Sequence, residues 1–191
     1  MAELECLGEG FMEDAYADEK FREALGIVGA NSRGRIWLIG GFLYKTLIKK
    51  MYGTDVPSKD FDFIVERTRE KLELPEGWKS RTNRFGNPEL SSEDNMVDLI
   101  PLDNLLYLRK KNIEPSIDNL LASVNFSVFA LAFDLKEEKI IDGGGVSALE
   151  EKVVRVHNLE AAKLSSEIYS TPINDMLRLR AEELRFTAEL V

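Results

Sequence analysis

Residues 35–66 read RIWLIGGFLYKTLIKKMYGTDVPSKDFDFIVE. The pattern predicts three elements in order. Arg35–Ile39 is a short apolar strand that ends in Gly40-Gly41. Phe42–Tyr52 is a helix: Leu43, Leu47, Ile48 and Met51 recur at helical spacing, and Lys45, Lys49 and Lys50 lie away from them. After a loop, Asp60–Glu66 is a strand with Phe61, Phe63 and Val65 on one face and Asp60 and Asp62 on the other. Two glycines at a strand-to-helix turn let the backbone approach a ligand closely. The helix N-terminus behind them presents free N–H groups to phosphate. Period-two geometry aims both carboxylates the same way, and the phenylalanines pin the opposite face in the core.

Working outward, Glu13–Leu25 is predicted as a helix and Asn31–Gly34 as a turn. Downstream, Lys79–Phe85 and Asn95–Ile100 are predicted strands around a turn region holding Gly86, Asn87 and Pro88. Leu102–Lys110 and Ser116–Ser123 are predicted helices, and Phe126–Leu135 with Lys139–Asp142 a hairpin. Gly143-Gly144-Gly145 breaks the chain before a short helix at Ser147–Lys152 and a strand at Val153–Val156. Two helices follow, Leu159–Ile168 and Pro172–Leu190, the second with Thr171 as N-cap and Pro172 in its first turn. The result is an α+β chain: a small mixed sheet with helices, then a short C-terminal helical tail.

Composition narrows the chemistry. The 191 residues are 44% hydrophobic and 31% charged, ordinary for a globular chain. One cysteine, Cys6, and one histidine, His157, exclude an intramolecular disulfide, a multi-cysteine zinc site and a two-histidine metal site. The net charge is −9, of which −6 falls within residues 1–20. That balance argues against extensive gripping of long nucleic acid without metal ions. No apolar run reaches the roughly 18 residues of a membrane span, and the N-terminus is acidic where a signal peptide is basic. A cytoplasmic protein with no membrane contact is therefore expected.

Asp98 stands in an otherwise apolar strand, between Met96-Val97 and Leu99-Ile100. Burying a carboxylate there is costly unless it is paired or bound to a metal. Asp60, Asp62 and Asp98, with no histidine or cysteine, make a hard all-oxygen donor set that suits Mg²⁺ or Mn²⁺. Lys45, one turn into the helix behind the glycines, is the best placed of its three lysines to meet a triphosphate; Lys49 and Lys50 suit a solvated face. Arg81 and Arg84 fit phosphate clamps or surface charges equally. Trp78 suits packing better than base stacking, and Trp37, Phe126, Phe129 and Phe133 suit the core.

Strand–Gly-Gly–helix followed by Asp-x-Asp on a strand resembles the nucleotidyltransferase superfamily of DNA polymerase beta type. The likeness is to the head domains of CCA-adding enzymes and bacterial poly(A) polymerases. NFSVFALAFDLKEEKIIDGGG with ALEEKVVRV, from residue 125 to 156, resembles that family's stretch after the catalytic core. The resemblance implies a nucleotidyltransferase-like domain over 1–157, with an acidic segment at 1–20 and a helical tail at 158–191. It implies that Gly40 and Gly41, with the N-terminus of the following helix, hold a nucleoside triphosphate; Lys45 joins them as a nucleotide-binding candidate from its place in that helix. It also implies that Asp60, Asp62 and Asp98 bind divalent ions and serve catalysis.

The implied reaction moves NMP from an NTP to a hydroxyl on an RNA 3′ end, a small molecule or a protein. A non-catalytic nucleotide-binding or regulatory module on the same fold is the alternative, and an unrelated α+β interaction domain a third. Departures from the family pattern lie at Tyr44-Lys45, where the family has Arg-Asp, and at Ser123-Val124-Asn125-Phe126, where it has Arg-Arg-Asp-Phe. The last helix suits a cap on the core or a dimer seam equally.

Overall fold

The computed structural model describes residues 8, 10–58 and 60–191. Cys6 and the acidic Glu3, Glu5 and Glu9 lie outside the described residues. The chain forms two compact units, Met1–Leu106 with Ala132–Ile141, and Tyr107–Leu131 with Asp142–Val191. The second contains the expected helical tail, 158–191, together with 107–131 and 142–157.

The first unit opens with α1 (Phe11–Ala17) and α2 (Glu19–Asn31). The sequence predicts one helix across this stretch. Asp18 divides it, because its carboxylate accepts the N–H groups of Lys20 (2.8 Å) and Phe21 (3.2 Å) and so starts a second helix. Next come β1 (Ser32–Ile39), α3 (Gly40–Tyr52), β2 (Phe61–Thr68), β3 (Lys79–Thr82), β4 (Pro88–Ser91) and β5 (Met96–Pro101). The predicted turn at Asn31–Gly34 is absorbed by α2 and β1. Gly34, at φ +84°, sits instead in an irregularity of β1 between Arg33 and Ile36. Asp60 falls just before β2. The predicted strand Lys79–Phe85 stops at Thr82 because Asn83 closes a turn, and β4 is an added strand beyond it.

The sheet has seven strands in the order β3-β4-β5-β2-β1-β6-β7, with β6 at Leu131–Asp134 and β7 at Lys139–Asp142. The β2–β5 pair is parallel, and β1 runs antiparallel to both β2 and β6. Phe61, Phe63, Val65, Val97, Leu99 and Leu90 are buried. Helices α2 and α3 cover that face through rings. Phe21 stacks on Phe42 with centroids 4.9 Å apart, and Phe61 lies 4.8 Å from Phe42. Phe11 packs on Phe133 at 4.5 Å. Burial of these rings is the main hydrophobic stabilisation of the unit.

The second unit holds α4 (Leu106–Lys111), α5 (Ile117–Ala122), α6 (Gly145–Glu151), α7 (Leu159–Tyr169) and α8 (Ile173–Leu184). Its two-stranded parallel sheet joins β8 (Val153–Val154) to β9 (Thr187–Ala188). The predicted strand from Phe126 shortens to β6, because Ser127–Phe129 forms a 3₁₀ turn. The predicted last helix is corrected at both ends. Pro172 is its N-cap and makes no side-chain cap bond. Arg185 at φ +58° ends it, and the chain after it pairs with β8. Phe126 is buried as expected; Phe129 is only partly buried, with the Arg180 guanidinium 5.1 Å over its ring.

Candidate active site

Gly40 and Gly41 are the first two residues of α3, which begins two residues before the predicted start. Gly40 has φ +76°, a conformation that favours glycine. A Cβ at Gly40 would stand 2.8 Å from Asp62 Cγ, so the Asp62 carboxylate lies directly against this turn. A Cβ at Gly41 would stand 3.2 Å from Ser58 Oγ and 4.0 Å from Asp60 Oδ1. Gly40 therefore makes room for the Asp62 carboxylate, while a side chain at Gly41 would crowd Ser58 and meet Asp60 only at ordinary contact distance. The first turn of a 13-residue helix faces them with its N-terminal end.

The parallel β2–β5 register sets the third carboxylate. Phe61 faces Val97, Asp62 faces Asp98, and Phe63 faces Leu99. Paired residues share a face, so Asp62 and Asp98 stand side by side while their neighbours enter the core. The row continues across the sheet: Asp98 faces Glu89 on β4, and Glu89 faces Arg81 on β3. Arg81 and Glu89 form an ion pair at 2.5 Å, which favours the surface-charge reading of Arg81. Burial pushes the Asp98 carboxyl above its ordinary pKa. A hydrogen bond from Asn83 Nδ2 (3.0 Å) opposes this, the Glu89 and Asp60 charges add to it, and Arg81 opposes it again.

No family model and no curated protein sequence matches the chain. Solved structures do. A CCA-adding enzyme in complex with CTP is 19% identical, over 97% of this chain and 43% of its own, with a TM-score of 0.63. A CCA-adding enzyme in complex with ATP is 21% identical, over 81% of this chain and 35% of its own, with a TM-score of 0.54. The Thermotoga maritima CCA-adding enzyme complexed with tRNA is 22% identical, over 81% and 35%, with a TM-score of 0.51. The fold is that of the nucleotidyltransferase head of CCA-adding enzymes. At these identities the likeness is one of fold, and the chain spans less than half the length of each of those structures.

On this nucleotidyltransferase fold the expected residues divide. Gly40, Gly41, Asp60, Asp62 and Asp98 meet at one end of β2. Lys45 is half-buried; its Nζ donates to the Pro57 carbonyl at 2.9 Å and it lines a cleft of about 760 Å³ with Thr46, Lys49, Lys50 and Ser58. Lys49 pairs with Asp55 (3.5 Å) and Lys50 with Asp14 (3.3 Å), the arrangement of a solvated helix face. Tyr44, at a position where the resemblance implies an arginine, is buried in the core at 2% exposure. Trp37 and Trp78 are buried, and the Trp78 indole donates to Glu23 at 2.9 Å, which is packing rather than a stacking platform. The basic run Arg109-Lys110-Lys111 closes α4, as expected of positive charge at a helix C-terminus.

Among the described residues no group of three or more His, Cys, Asp or Glu side chains is placed to hold a metal ion, and Asp60, Asp62 and Asp98 do not converge as a three-carboxylate site. The donor set still fits a hard divalent ion. Mg²⁺ is commonly held by one or two carboxylates with water and substrate phosphate, and Asp62 and Asp98 offer such a pair with Asp60 beside it. Sequence reasoning missed Asn83, Glu89 and Ser58. Asn83 and Glu89 reach Asp98 through the unpredicted hairpin β3–β4, and nothing local marks them.

Proposed function

We propose that the protein is a divalent-cation-dependent nucleotidyltransferase that moves NMP from a nucleoside triphosphate to a hydroxyl acceptor. The observation that carries this reading is the same-register pairing of Asp62 and Asp98 on adjacent parallel strands, packed at the Gly40-Gly41 turn. Asp60, Asp62 and Asp98 would hold Mg²⁺ or Mn²⁺. Such ions stabilise charge on the attacking and leaving oxygens of an in-line displacement at phosphorus. The backbone N–H groups at the start of α3 would orient the phosphates, and Lys45, lining the adjacent cleft, would meet their charge. An RNA 3′ hydroxyl is the acceptor we favour over a small molecule or a protein side chain, because one of the structures with this fold holds tRNA.

A second reading, a nucleotide-binding module without catalysis, is favoured by the burial of Tyr44 at a position where the resemblance implies an arginine. One experiment separates the two. The protein and its Asp60→Ala/Asp62→Ala variant are incubated with each α-labelled NTP, Mg²⁺ or Mn²⁺, and mixed tRNA. Metal-dependent transfer by the wild type alone is expected. A thermal shift with NTP but no transfer supports the second reading. Neither shift nor transfer overturns both.

A further inference from the structure

The far end of the β1–β2 pair carries a different cluster. Arg33 and Arg67 are direct cross-strand partners. Like charges directly opposite each other destabilise an antiparallel pair unless an opposite charge lies between them. Neither guanidinium forms an ion pair or side-chain hydrogen bond among the described residues. The adjacent acid is engaged elsewhere: Glu66 Oε2 accepts the Arg35 N–H at 3.1 Å, and its Cδ would lie 2.7 Å from a Cβ at Gly34.

The segment beside them is fixed from beneath. Asn31 is fully buried. Its Nδ2 donates to the carbonyls of Ile27 and Glu73 at 2.8 Å each, and its Oδ1 accepts the Glu73 N–H at 2.6 Å. The Arg69 N–H donates to the Asn31 carbonyl at 3.0 Å. Arg69 pairs with Glu73 at 3.2 Å through one terminal nitrogen, while its Nε is buried without a partner. Arg33, Arg67, Arg69 and Lys71 line a cleft of about 600 Å³ together with Glu66, Glu70 and Glu73, so the cleft carries one more basic than acidic side chain in a chain whose overall charge is −9.

We propose that this cleft binds phosphoryl oxyanions, supplied either by the phosphodiester backbone of an RNA strand or by a free phosphorylated molecule. Guanidinium groups match tetrahedral phosphate with several fixed N–H donors. A phosphate bound between Arg33 and Arg67 would offset their repulsion. Asp62 and Arg67 lie five positions apart on β2, about 17 Å at strand rise, so the cleft is distinct from the carboxylate end. The proposal does not depend on the transferase reading.

The test measures binding of a labelled ten-nucleotide single-stranded RNA by anisotropy, and of pyrophosphate by calorimetry, both in EDTA. Wild type is compared with Arg33→Ala/Arg67→Ala and with the charge-matched control Lys136→Ala/Lys139→Ala. The arginine variant is expected to weaken binding at least about tenfold, with the control unchanged. If RNA is the ligand, the salt slope falls by about 1.4, at roughly 0.7 for each phosphate no longer neutralised. Loss of RNA binding identifies a backbone source, and loss of pyrophosphate binding alone identifies a free ligand. No binding of either probe by wild type, or equal loss in both variants, overturns the proposal. Circular dichroism checks the fold, and Arg67→Gln alone serves if the double variant unfolds.

Discussion

At one end of the β1–β2 pair Ile39 faces Asp62; at the other, Arg33 faces Arg67. The same two strands thus end in opposite charge, and the two ends are built differently. At the acidic end, backbone shape and side chain are locked together. Gly40 takes a left-handed conformation, and the space its missing Cβ leaves is filled by the Asp62 carboxylate. At the basic end the arginines are exposed and touch no counter-charge among the described residues. Changes at the acidic end should therefore disturb geometry and charge together, while changes at the basic end should act on charge alone.

The largest effect expected is on transfer. Asp62→Asn should lower metal-dependent NMP transfer at least about 100-fold with little loss of stability, read by label incorporation and thermal melting. An active Asp62→Asn variant would break the comparison, because the acidic end would then be merely structural. Asp134→Asn comes next, since it acts on the strand that links the two ends. Trp37 of β1 faces Asp134, and Asp134 is fully buried against Arg35 and the Trp37 indole (3.1 Å). Its loss should cost about 1–3 kcal/mol in chemical denaturation.

The same residue sets a pH dependence. Burial alone would raise the Asp134 pKa; hydrogen bonds from the Glu137 N–H, Arg35 and the Lys136 N–H outweigh it and lower the value. A lowered carboxylate contributes stability above its unfolded pKa, near 3.9, and that contribution is lost as pH falls through the lower folded value. Wild type should therefore lose stability on acidification below about pH 4 more steeply than Asp134→Asn does. Parallel melting curves across that range check this.

Gly40→Ala sharpens the contrast by testing backbone rather than charge. The left-handed φ alone should cost about 1–2 kcal/mol, with a matching drop in transfer as Asp62 is displaced. The smallest effect belongs to the basic end. Arg33→Ala, in phosphate-free buffer, should stabilise the chain by about 0.2–1 kcal/mol, because it removes a like-charge pair. A destabilised Arg33→Ala variant would show that the arginine already has a structural role there.

Part of the site is legible in the chain because its causes are local. Alternation in Phe61-Asp62-Phe63 determines that the carboxylate leaves the core, and Gly40-Gly41 marks the turn. Apolar spacing marks α3. Asp18 is also local, yet its capping strength is masked by an apolar stripe that runs past it on both sides. The rest rests on long-range pairing. Nothing near Asp98 states that β5 lies parallel to β2 with Asp98 opposite Asp62, or that Asn83 and Glu89 close in from a hairpin. The Arg33–Arg67 opposition is equally invisible, since the residues are 34 positions apart and meet only through the β1–β2 register.

The sequence by itself determined the α+β class, the strand–glycine–helix turn and the direction of the Asp-x-Asp pair, because periodicity and glycine conformation act between near neighbours. Only the tertiary structure decided which charges stand opposite one another. Strand register is selected by the burial of whole faces, and that selection places Asp98 beside Asp62 and Arg67 beside Arg33.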